Sequence, residues 1–253
     1  GRGIVVTLNG GATWDELDPP GPIALELQRV PSSRALLFAG TDGGGIWRVG
    51  LVKRVVSSGR VHLPAGQPVN DPSGAQANVP TPGGHAPSVI GPFGGYVLDL
   101  VMNPRTPTTL YAASNTGVFK TTDNGETWFL TGLFSRRIFS LAIDPANPET
   151  VYAGTDGEGL FRSADGGAHW QATGDPLMRD KVIYSLAVDP AHPAVVYAGG
   201  RRIHQDGSAT GDWGGGVFKS EDAGRTWRLV NNGLPEGWVY AIAIDPSSPN
   251  TIY

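Results

Sequence analysis

Two arginines, a histidine, two aspartates and a tryptophan lie close together in one segment, RRIHQDGSATGDWGG, which spans residues 201–215. Guanidinium groups bind carboxylates and sulfates in a fixed geometry, and an indole ring stacks on the face of a sugar. We therefore interpret this segment as an inserted ligand-binding loop; the alternative is a surface loop that binds nothing. The predicted ligand-binding residues, including three from other segments, are Arg201, Arg202, His204, Trp213, Arg136, Arg137 and Trp238.

Carboxylates offer a second chemistry, the hydrolysis of glycosidic bonds. This reaction uses two carboxyl groups about 5–5.5 Å apart for retention, or about 6.5–9.5 Å apart for inversion. The catalytic candidates on irregular segments are Asp206, Asp212 and Glu236. Glu158 is a further candidate, whereas Asp42 and Asp156 occupy equivalent positions in the repeated turns GTDGGG and GTDGEG. A shared role in the turn explains this pair more simply than catalysis does.

Composition and charge argue against several classes of function. A formal net charge of −4 leaves no basic excess to neutralise a phosphate backbone, so nucleic acid is not expected as a partner. No apolar run of about 18 residues is present, so no membrane span is predicted. The chain has no cysteine and no GxSxG, HExxH, Walker or dinucleotide motif, and its histidines lack metal-ligand spacing. We therefore expect neither a cofactor nor a bound metal.

One eight-residue motif, or phrase, occurs in four variants along the chain, as TLNGGATW, TTDNGETW, SADGGAHW and SEDAGRTW. We call this phrase the tryptophan turn. Its glycine suits a left-handed backbone, its acidic side chain can accept hydrogen bonds from nearby amides, and its indole can be buried under the hairpin. Because a catalytic group would not be needed in every repeat, these residues are predicted to be structural. They are Thr7, Asn9, Gly11, Trp14, Thr121, Asp123, Gly125, Trp128, Ser163, Asp165, Gly167, Trp170, Ser220, Asp222, Gly224 and Trp227.

Each tryptophan turn belongs to a longer unit of four short predicted strands. An apolar first strand such as FSLAIDP is followed by a second such as TVYAGT, a third such as GLFRS and, after the turn, a fourth. Side chains alternate along a strand, so Phe139, Leu141 and Ile143 are predicted on one face and Ser140 and Ala142 on the other. Small residues on the second face indicate that both faces are buried. This pattern favours sheets stacked radially, as in a β-propeller, over a solenoid.

The tryptophan turn resembles the Asp-box, or BNR repeat, of sialidases, sortilin-type receptors, xyloglucan-cleaving glycosidases and photosystem assembly factors. The match is close in three copies, whereas the first copy departs from it at Asn9. The resemblance implies an all-β propeller of four-stranded antiparallel blades and an extracytoplasmic location, secreted or periplasmic. It does not specify an activity, since these families differ in function. The arginine triad, the tyrosine nucleophile and the acid aspartate of sialidases match no motif here, and TDGGGIWR is similar to a xyloglucanase loop only within a repeat element.

The order of the units predicts a single domain over residues 1–253 with about five blades. Complete blades are expected at residues 95–130, 138–172 and 183–230, and a degenerate blade at 23–56. A Pro/Gly-rich inter-blade loop is expected at residues 57–94 and the inserted loop at 201–215. The chain begins with the last two strands of a unit and ends within a second strand, so one blade is expected to be split between the termini. The other interpretation, favoured by the end in mid-repeat, is a piece of a larger propeller.

The variable segments indicate where a ligand would bind. In such a meander, the first-to-second and third-to-fourth connections lie on one side of the propeller. The irregular segments fall on the opposite side, which we call the loop face. We therefore expect a non-catalytic, monomeric propeller that binds a protein or glycan partner on the loop face. The alternative is a xyloglucanase-like or sialidase-like glycoside hydrolase that uses the loop carboxylates.

Overall fold

The computed structural model describes residues 4–6, 15–17, 24–29, 36–41, 45–50, 88–91, 96–202, 215–234 and 237–253. Within these ranges the chain is all-β, with one short 3-10 turn at Pro176–Met178 and no α-helix. No helix in this described part is both long and apolar enough to cross a membrane.

The strands form four antiparallel four-stranded sheets and one two-stranded sheet. The two-stranded sheet contains β1 (Ile4–Val6) and β2 (Asp15–Leu17). Sheet I contains β3 (Ala24–Arg29), β4 (Leu36–Thr41), β5 (Gly45–Gly50) and β6 (Ser88–Gly91). Sheet II contains β7 (Val97–Met102), β8 (Leu110–Ser114), β9 (Gly117–Thr121) and β10 (Phe129–Phe134). Sheet III contains β11 (Ile138–Ile143), β12 (Val151–Thr155), β13 (Leu160–Ser163) and β14 (Gln171–Ala172). Sheet IV contains β15 (Lys181–Val188), β16 (Val196–Arg202), β17 (Gly216–Ser220) and β18 (Arg228–Leu229).

Every four-stranded sheet is a meander, because consecutive strands are neighbours in the sheet. The predicted all-β fold of four-stranded antiparallel units is therefore confirmed. In sheets II, III and IV, and before the C-terminal pair Ile244–Ile252, the turn after the first strand is closed by an Asp or Asn side chain that accepts hydrogen bonds from backbone amides two and three residues later. These turn residues are Asn103, Asp144, Asp189 and Asp245.

Two predicted boundaries are corrected by the strand pairing. The fourth strand of sheet I is Ser88–Gly91, which pairs with β5 although it lies inside the range predicted as loop 57–94. This strand is a short, mostly apolar stretch, SVIG, among prolines and glycines. It is too short for the alternation of apolar and polar residues to be recognised in the sequence. The inserted loop was predicted to begin at Arg201, but Arg201 and Arg202 continue β16 because β15 begins early enough to pair with them.

The two chain ends each contribute a strand pair. Strand β1 pairs with β2, and Ile252 pairs with Ile244 in a C-terminal hairpin. Among the described residues, the two pairs are not joined into one sheet. The split blade and the total of five blades therefore stay predictions.

The hydrophobic core lies between sheets rather than within them. One cluster joins Tyr111 and Leu133 of sheet II to Leu141 and Val151 of sheet III. A second cluster joins sheet III to sheet IV, and a third joins Ile46 of sheet I to sheet II. Both faces of the inner strands are thus buried, as the small residues of the sequence pattern predicted.

Hydrogen bonds inside the tryptophan turn explain its composition. In the turn after β17, Ser220 Oγ donates to Asp222 Oδ1 at 2.8 Å and accepts the Gly224 amide at 2.8 Å. Asp222 also accepts the amide and hydroxyl of Thr226, and Trp227 Nε1 donates to the Gly224 carbonyl at 3.1 Å. The turns after β9 and β13 repeat this network. The hydroxyl, the carboxylate and the indole that recur in these turns therefore each form a hydrogen bond with a backbone group that the tight turn would leave unpaired.

Two consecutive residues have a left-handed backbone in each of the three tryptophan turns that the structure describes. The glycines have φ of 82° at Gly125, 92° at Gly167 and 84° at Gly224. The preceding residue is left-handed too, with φ of 58° at Ala223, although the sequence pattern does not require glycine there. A residue with a Cβ atom is strained in this region, so Ala223 is a site of stored strain.

The strain predicts that substitutions at two neighbouring positions change the free energy of unfolding in opposite directions. Ala223→Gly should raise the free energy of unfolding by about 0.4–1 kcal/mol, because glycine adopts positive φ without the Cβ clash. Gly224→Ala is the matched change, and it should lower that free energy, since its Cβ would also lie 3.1 Å from Tyr152. Urea denaturation measures both; equal loss of stability in both variants would contradict this account.

The aspartates of the turns also predict acid sensitivity. Hydrogen bonds from Thr121 and Thr127 lower the pKa of Asp123 from 3.8 to about 2. At Asp222 burial raises the pKa, but hydrogen bonds led by Thr226 outweigh it and lower the pKa to about 2. Folded-state pKa values below the unfolded ones stabilise the fold above about pH 4, and this stabilisation is lost as the pH falls towards about 2.

Thermal denaturation should therefore show a falling midpoint between about pH 4 and pH 2. The double variant Asp123→Asn, Asp222→Asn should be less stable than the parent chain at pH 7, and the two should converge towards pH 2. A constant difference between the two across this range would show that the carboxylate charge does not carry the effect.

Candidate functional site

A backbone irregularity recurs at the same place in all four sheets. The pairing between the first and second strands shifts by one residue, between Ala24 and Glu26, Val97 and Asp99, Ile138 and Ser140, and Ile183 and Ser185. Such a β-bulge leaves one residue of the first strand unpaired and turns its side chain away from the regular alternation. The bulged residues are Leu25, Leu98, Phe139 and Tyr184.

The bulge corrects the predicted face of Phe139. Strict alternation placed it with Leu141 and Ile143, but in the structure Ile138 packs beside Leu141 in the core between sheets II and III. Phe139 instead contacts the ring of Tyr184, the bulged residue of the next sheet. The prediction was wrong because one extra residue reverses the faces on either side of it.

Bulged side chains and their neighbours form a continuous group of rings, which we call the aromatic row. The ring centroids of Phe139 and Tyr184 are 5.2 Å apart, and those of Tyr184 and Tyr240 are 4.9 Å apart. Tyr240 holds the position in YAIAIDP that Tyr184 holds in YSLAVDP. Trp238 extends the row by an edge contact to Tyr240 at 6.1 Å. Exposed fractions of 41% for Trp238 and 60% for Tyr240 leave this end open to a ligand.

Arginines flank the aromatic row at both ends. The Arg137 guanidinium lies 4.7 Å from the ring centroid of Phe139, and that of Arg201 lies 4.8 Å from the ring of Trp238. Arg201 Nε also donates to the hydroxyl of Tyr184 at 2.8 Å. A guanidinium held by a hydrogen bond and a ring is fixed before a ligand arrives, which lowers the entropic cost of binding.

Two carboxylates on the same face are paired with arginines. Arg136 Nε donates to Glu158 Oε2 at 2.8 Å, and Arg137 lies 3.7 Å from Asp156 Oδ2. The Asp156 amide also donates to the Arg137 carbonyl at 3.0 Å. These contacts tie the turn after β12 to the segment that precedes β11. Asp156 and Glu158 thus belong to the scaffold that holds the arginines.

Three of the predicted ligand-binding residues, Arg137, Arg201 and Trp238, contact the aromatic row, whereas Arg136 lies against the ring of Phe161 and pairs with Glu158. The sequence reasoning missed Phe139, Tyr184 and Tyr240. The available signal was an aromatic residue at one position of three successive first strands, which the alternation rule assigned to the core. The remaining candidates lie outside the described side chains: Asp42, Arg202, His204, Asp206, Asp212, Trp213, Glu236, Thr7, Asn9, Gly11 and Trp14.

Among the described residues, no three His, Cys, Asp or Glu side chains come together to hold a metal ion. The expected absence of a metal stays a prediction, because His204, Asp206 and Asp212 lie outside the described residues.

Comparison with protein families and curated proteins gives no match to this chain. Similar folds occur among solved structures. YCF48, solved with a bound D1 peptide, aligns at a TM-score of 0.58 with 18% identity, over 98% of this chain and 66% of its own length. A GH74 xyloglucanase from Xanthomonas campestris aligns at 0.57 with 19% identity, over 87% of this chain and 32% of its own. An extracellular domain from B. thetaiotaomicron aligns at 0.52 with 17% identity, over 87% and 25%.

These similarities show the propeller fold and no more, because the identities are low. The chain spans between a quarter and about two thirds of the lengths of these proteins.

Proposed function

We propose that this chain is a non-catalytic propeller that binds a protein or glycan partner on its loop face. The observation that carries the proposal is the aromatic row, whose rings come from successive sheets and whose ends are flanked by Arg137 and Arg201. Aromatic rings and arginines are the side chains that contribute most of the affinity in recognition surfaces. The proposed ligand lies along the row, with apolar or sugar faces on the rings and polar groups at the arginines.

Rigidity supports a binding role for this surface. Phe139 projects from β11 and Tyr184 from β15, each of which is hydrogen-bonded to the second strand of its sheet, and Arg201 belongs to β16. Binding side chains held on strands lose less freedom on complex formation than side chains on long loops. The related fold of YCF48 has been solved with a peptide bound, which supports a peptide as one class of partner.

Glycoside hydrolysis is the second candidate function, since the structural neighbours include GH74 enzymes. Catalysis would need two carboxylates with distinct protonation states on either side of a sugar. Of the carboxylates predicted as candidates for this reaction, Asp156 and Glu158 are paired with arginines. The enzymatic alternative therefore rests on Asp206, Asp212 and Glu236.

An extracytoplasmic location and a monomeric state complete the proposal. The similarity to an extracellular domain from B. thetaiotaomicron supports the location. Size-exclusion chromatography with light scattering measures the oligomeric state of the chain directly.

Arg201 provides the test of the binding site. The probes are polygalacturonate, xyloglucan and an array of short acidic peptides. Arg201→Gln should raise the dissociation constant of whichever probe binds by about tenfold or more, since a charged hydrogen bond contributes about 1.5–3 kcal/mol. Arg225→Gln is the matched control, because Arg225 lies in a tryptophan turn on the opposite side. Equal affinity in both variants would place the ligand elsewhere, and no binding of any probe would contradict the proposal.

Turnover decides between binding and hydrolysis. A binding protein should release no reducing sugar from xyloglucan or other polysaccharides and no sialic acid from sialosides. Asp206→Ala and Asp212→Ala should then leave probe binding within about threefold of the parent chain. Robust turnover that either substitution abolishes would establish the glycosidase alternative.

A further inference from the structure

The three predicted ligand-binding arginines that the structure describes differ in how their charges are paired. Arg136 Nε donates to Glu158 Oε2 at 2.8 Å, and Arg137 lies 3.7 Å from Asp156 Oδ2. Among the described residues, no carboxylate pairs with Arg201, whose contacts are a hydroxyl and an indole ring. Arg201 is therefore the guanidinium of this group whose positive charge is left for an anion of the ligand.

Two contacts fix the orientation of the Arg201 guanidinium. Its Nε donates to Tyr184 Oη at 2.8 Å, and its central carbon lies 4.8 Å from the centroid of the Trp238 ring. Because Nε is already bonded, an anion approaches through the two terminal nitrogens, Nη1 and Nη2. Their parallel N–H groups match the two coplanar oxygens of a carboxylate. The site is therefore prepared for a carboxylate that binds end-on.

The hydroxyl of Tyr184 differs from the tyrosine hydroxyls that join the sheets. Tyr111 Oη donates to the Gly166 carbonyl in the tryptophan turn of the next sheet at 3.1 Å, and Tyr152 makes the equivalent bond one sheet further on at 3.2 Å. Tyr184 Oη instead accepts the hydrogen bond of Arg201 Nε, and no acceptor for its own hydrogen is found among the described residues. Tyr184 therefore positions Arg201 and offers a further donor beside it.

Trp238 and Tyr240 form an open corner next to this guanidinium. Their ring centroids are 6.1 Å apart and their planes are inclined at 66°. Arg201 contacts Trp238, and the Tyr184 ring contacts Tyr240, so the corner adjoins both donors. Phe139 and Tyr184 are partly buried, whereas Trp238 and Tyr240 are exposed. The open end of the aromatic row is thus the end where the charge of the guanidinium is not neutralised.

An open corner of rings beside a carboxylate-binding fork favours a sugar over a peptide. A sugar ring has apolar C–H groups on its faces and polar groups around its rim, so it lies on an aromatic ring and still reaches donors at its edge. A peptide gains affinity from side chains enclosed in pockets or from main-chain pairing. Rings with exposed fractions of 41% and 60% form a platform and not an enclosing pocket. A uronic acid, which carries a carboxylate on its rim, fits both the platform and the fork.

We propose that the ligand of the aromatic row is a glycan that contains uronic acid. Its carboxylate binds Nη1 and Nη2 of Arg201, and the Tyr184 hydroxyl donates to an oxygen on the rim of the same sugar. The ring of that sugar lies in the corner between Trp238 and Tyr240. The assignment of uronic acid rests on the function proposed above and names the class of its ligand.

Matched pairs of oligosaccharides test whether the charge of the sugar is recognised. The probes are oligomers of galacturonate, glucuronate and mannuronate, each compared with its methyl ester, which keeps the sugar and removes the charge. In calorimetric titrations of the parent chain, at least one acid should bind about tenfold or more tighter than its ester, because a hydrogen bond to a charged group is stronger than one to a neutral group. Short acidic peptides are titrated in parallel.

Variants assign this preference to individual side chains. Arg201→Gln should reduce the acid-to-ester preference to within about twofold, since an amide carries no charge. Arg201→Lys keeps the charge but loses the fork, so it should retain a preference of about threefold. Tyr184→Phe should reduce the preference by about threefold, whereas a purely structural role of Tyr184 would weaken the binding of acid and ester alike. Arg225→Gln, in a tryptophan turn, is the control and should keep the preference of the parent chain.

The outcomes separate the uronic acid assignment from the function on which it rests. Equal affinity for acid and ester in the parent chain, or a preference that survives Arg201→Gln, would overturn the assignment and leave a binding role in place. Binding of acidic peptides without binding of any oligosaccharide would overturn it in favour of a protein partner. No binding of any probe would contradict both the assignment and the proposed function.

Discussion

The docking of a tyrosine against the tryptophan turn of the next sheet is the interaction on which the rest of the molecule depends. A sheet of four short strands has two apolar faces, and neither is stable until another layer covers it. Here the covering layer is recognised by a phenol hydroxyl on a turn carbonyl and by an indole in the shared cluster. The turn is therefore both the local end of a hairpin and the contact that sets how two sheets pack.

The aromatic row follows from the same repetition through a defect in strand pairing. Because the bulge recurs at one position, sheets II, III and IV each turn one partly exposed side chain away from the regular alternation at the same level. The residue type at that position then decides what surface results, with Leu98 in sheet II, Phe139 in sheet III and Tyr184 in sheet IV. Differences within a repeated scaffold, rather than a separate domain, produce the candidate site.

Local patterns predicted the fold more completely than the site. Apolar strands, Asp-Pro turns and the hydroxyl–Asp–Gly–Trp phrase each describe a few consecutive residues, so sequence periodicity was enough to find them. The strand Ser88–Gly91 was not predicted, because its sequence, SVIG, is too short to show the alternation of apolar and polar residues that marks a strand. Arg201 and Trp238 were placed on one face by connectivity alone, whereas Phe139 was assigned to the face of Leu141 and Ile143 because the bulge is invisible in a pattern that assumes regular pairing.

By itself, the sequence determined the unit of structure: four strands, an Asx-type turn and a tryptophan turn whose glycine, hydroxyl and carboxylate satisfy its own backbone. Those requirements are local, and each is met within a few residues. Only the tertiary structure decided which side chains meet between units, such as Phe139 with Tyr184 and Arg201 with Trp238. The physical reason is that these distances depend on how sheets stack and where one extra residue interrupts a strand, and both are set by packing between residues far apart in the chain.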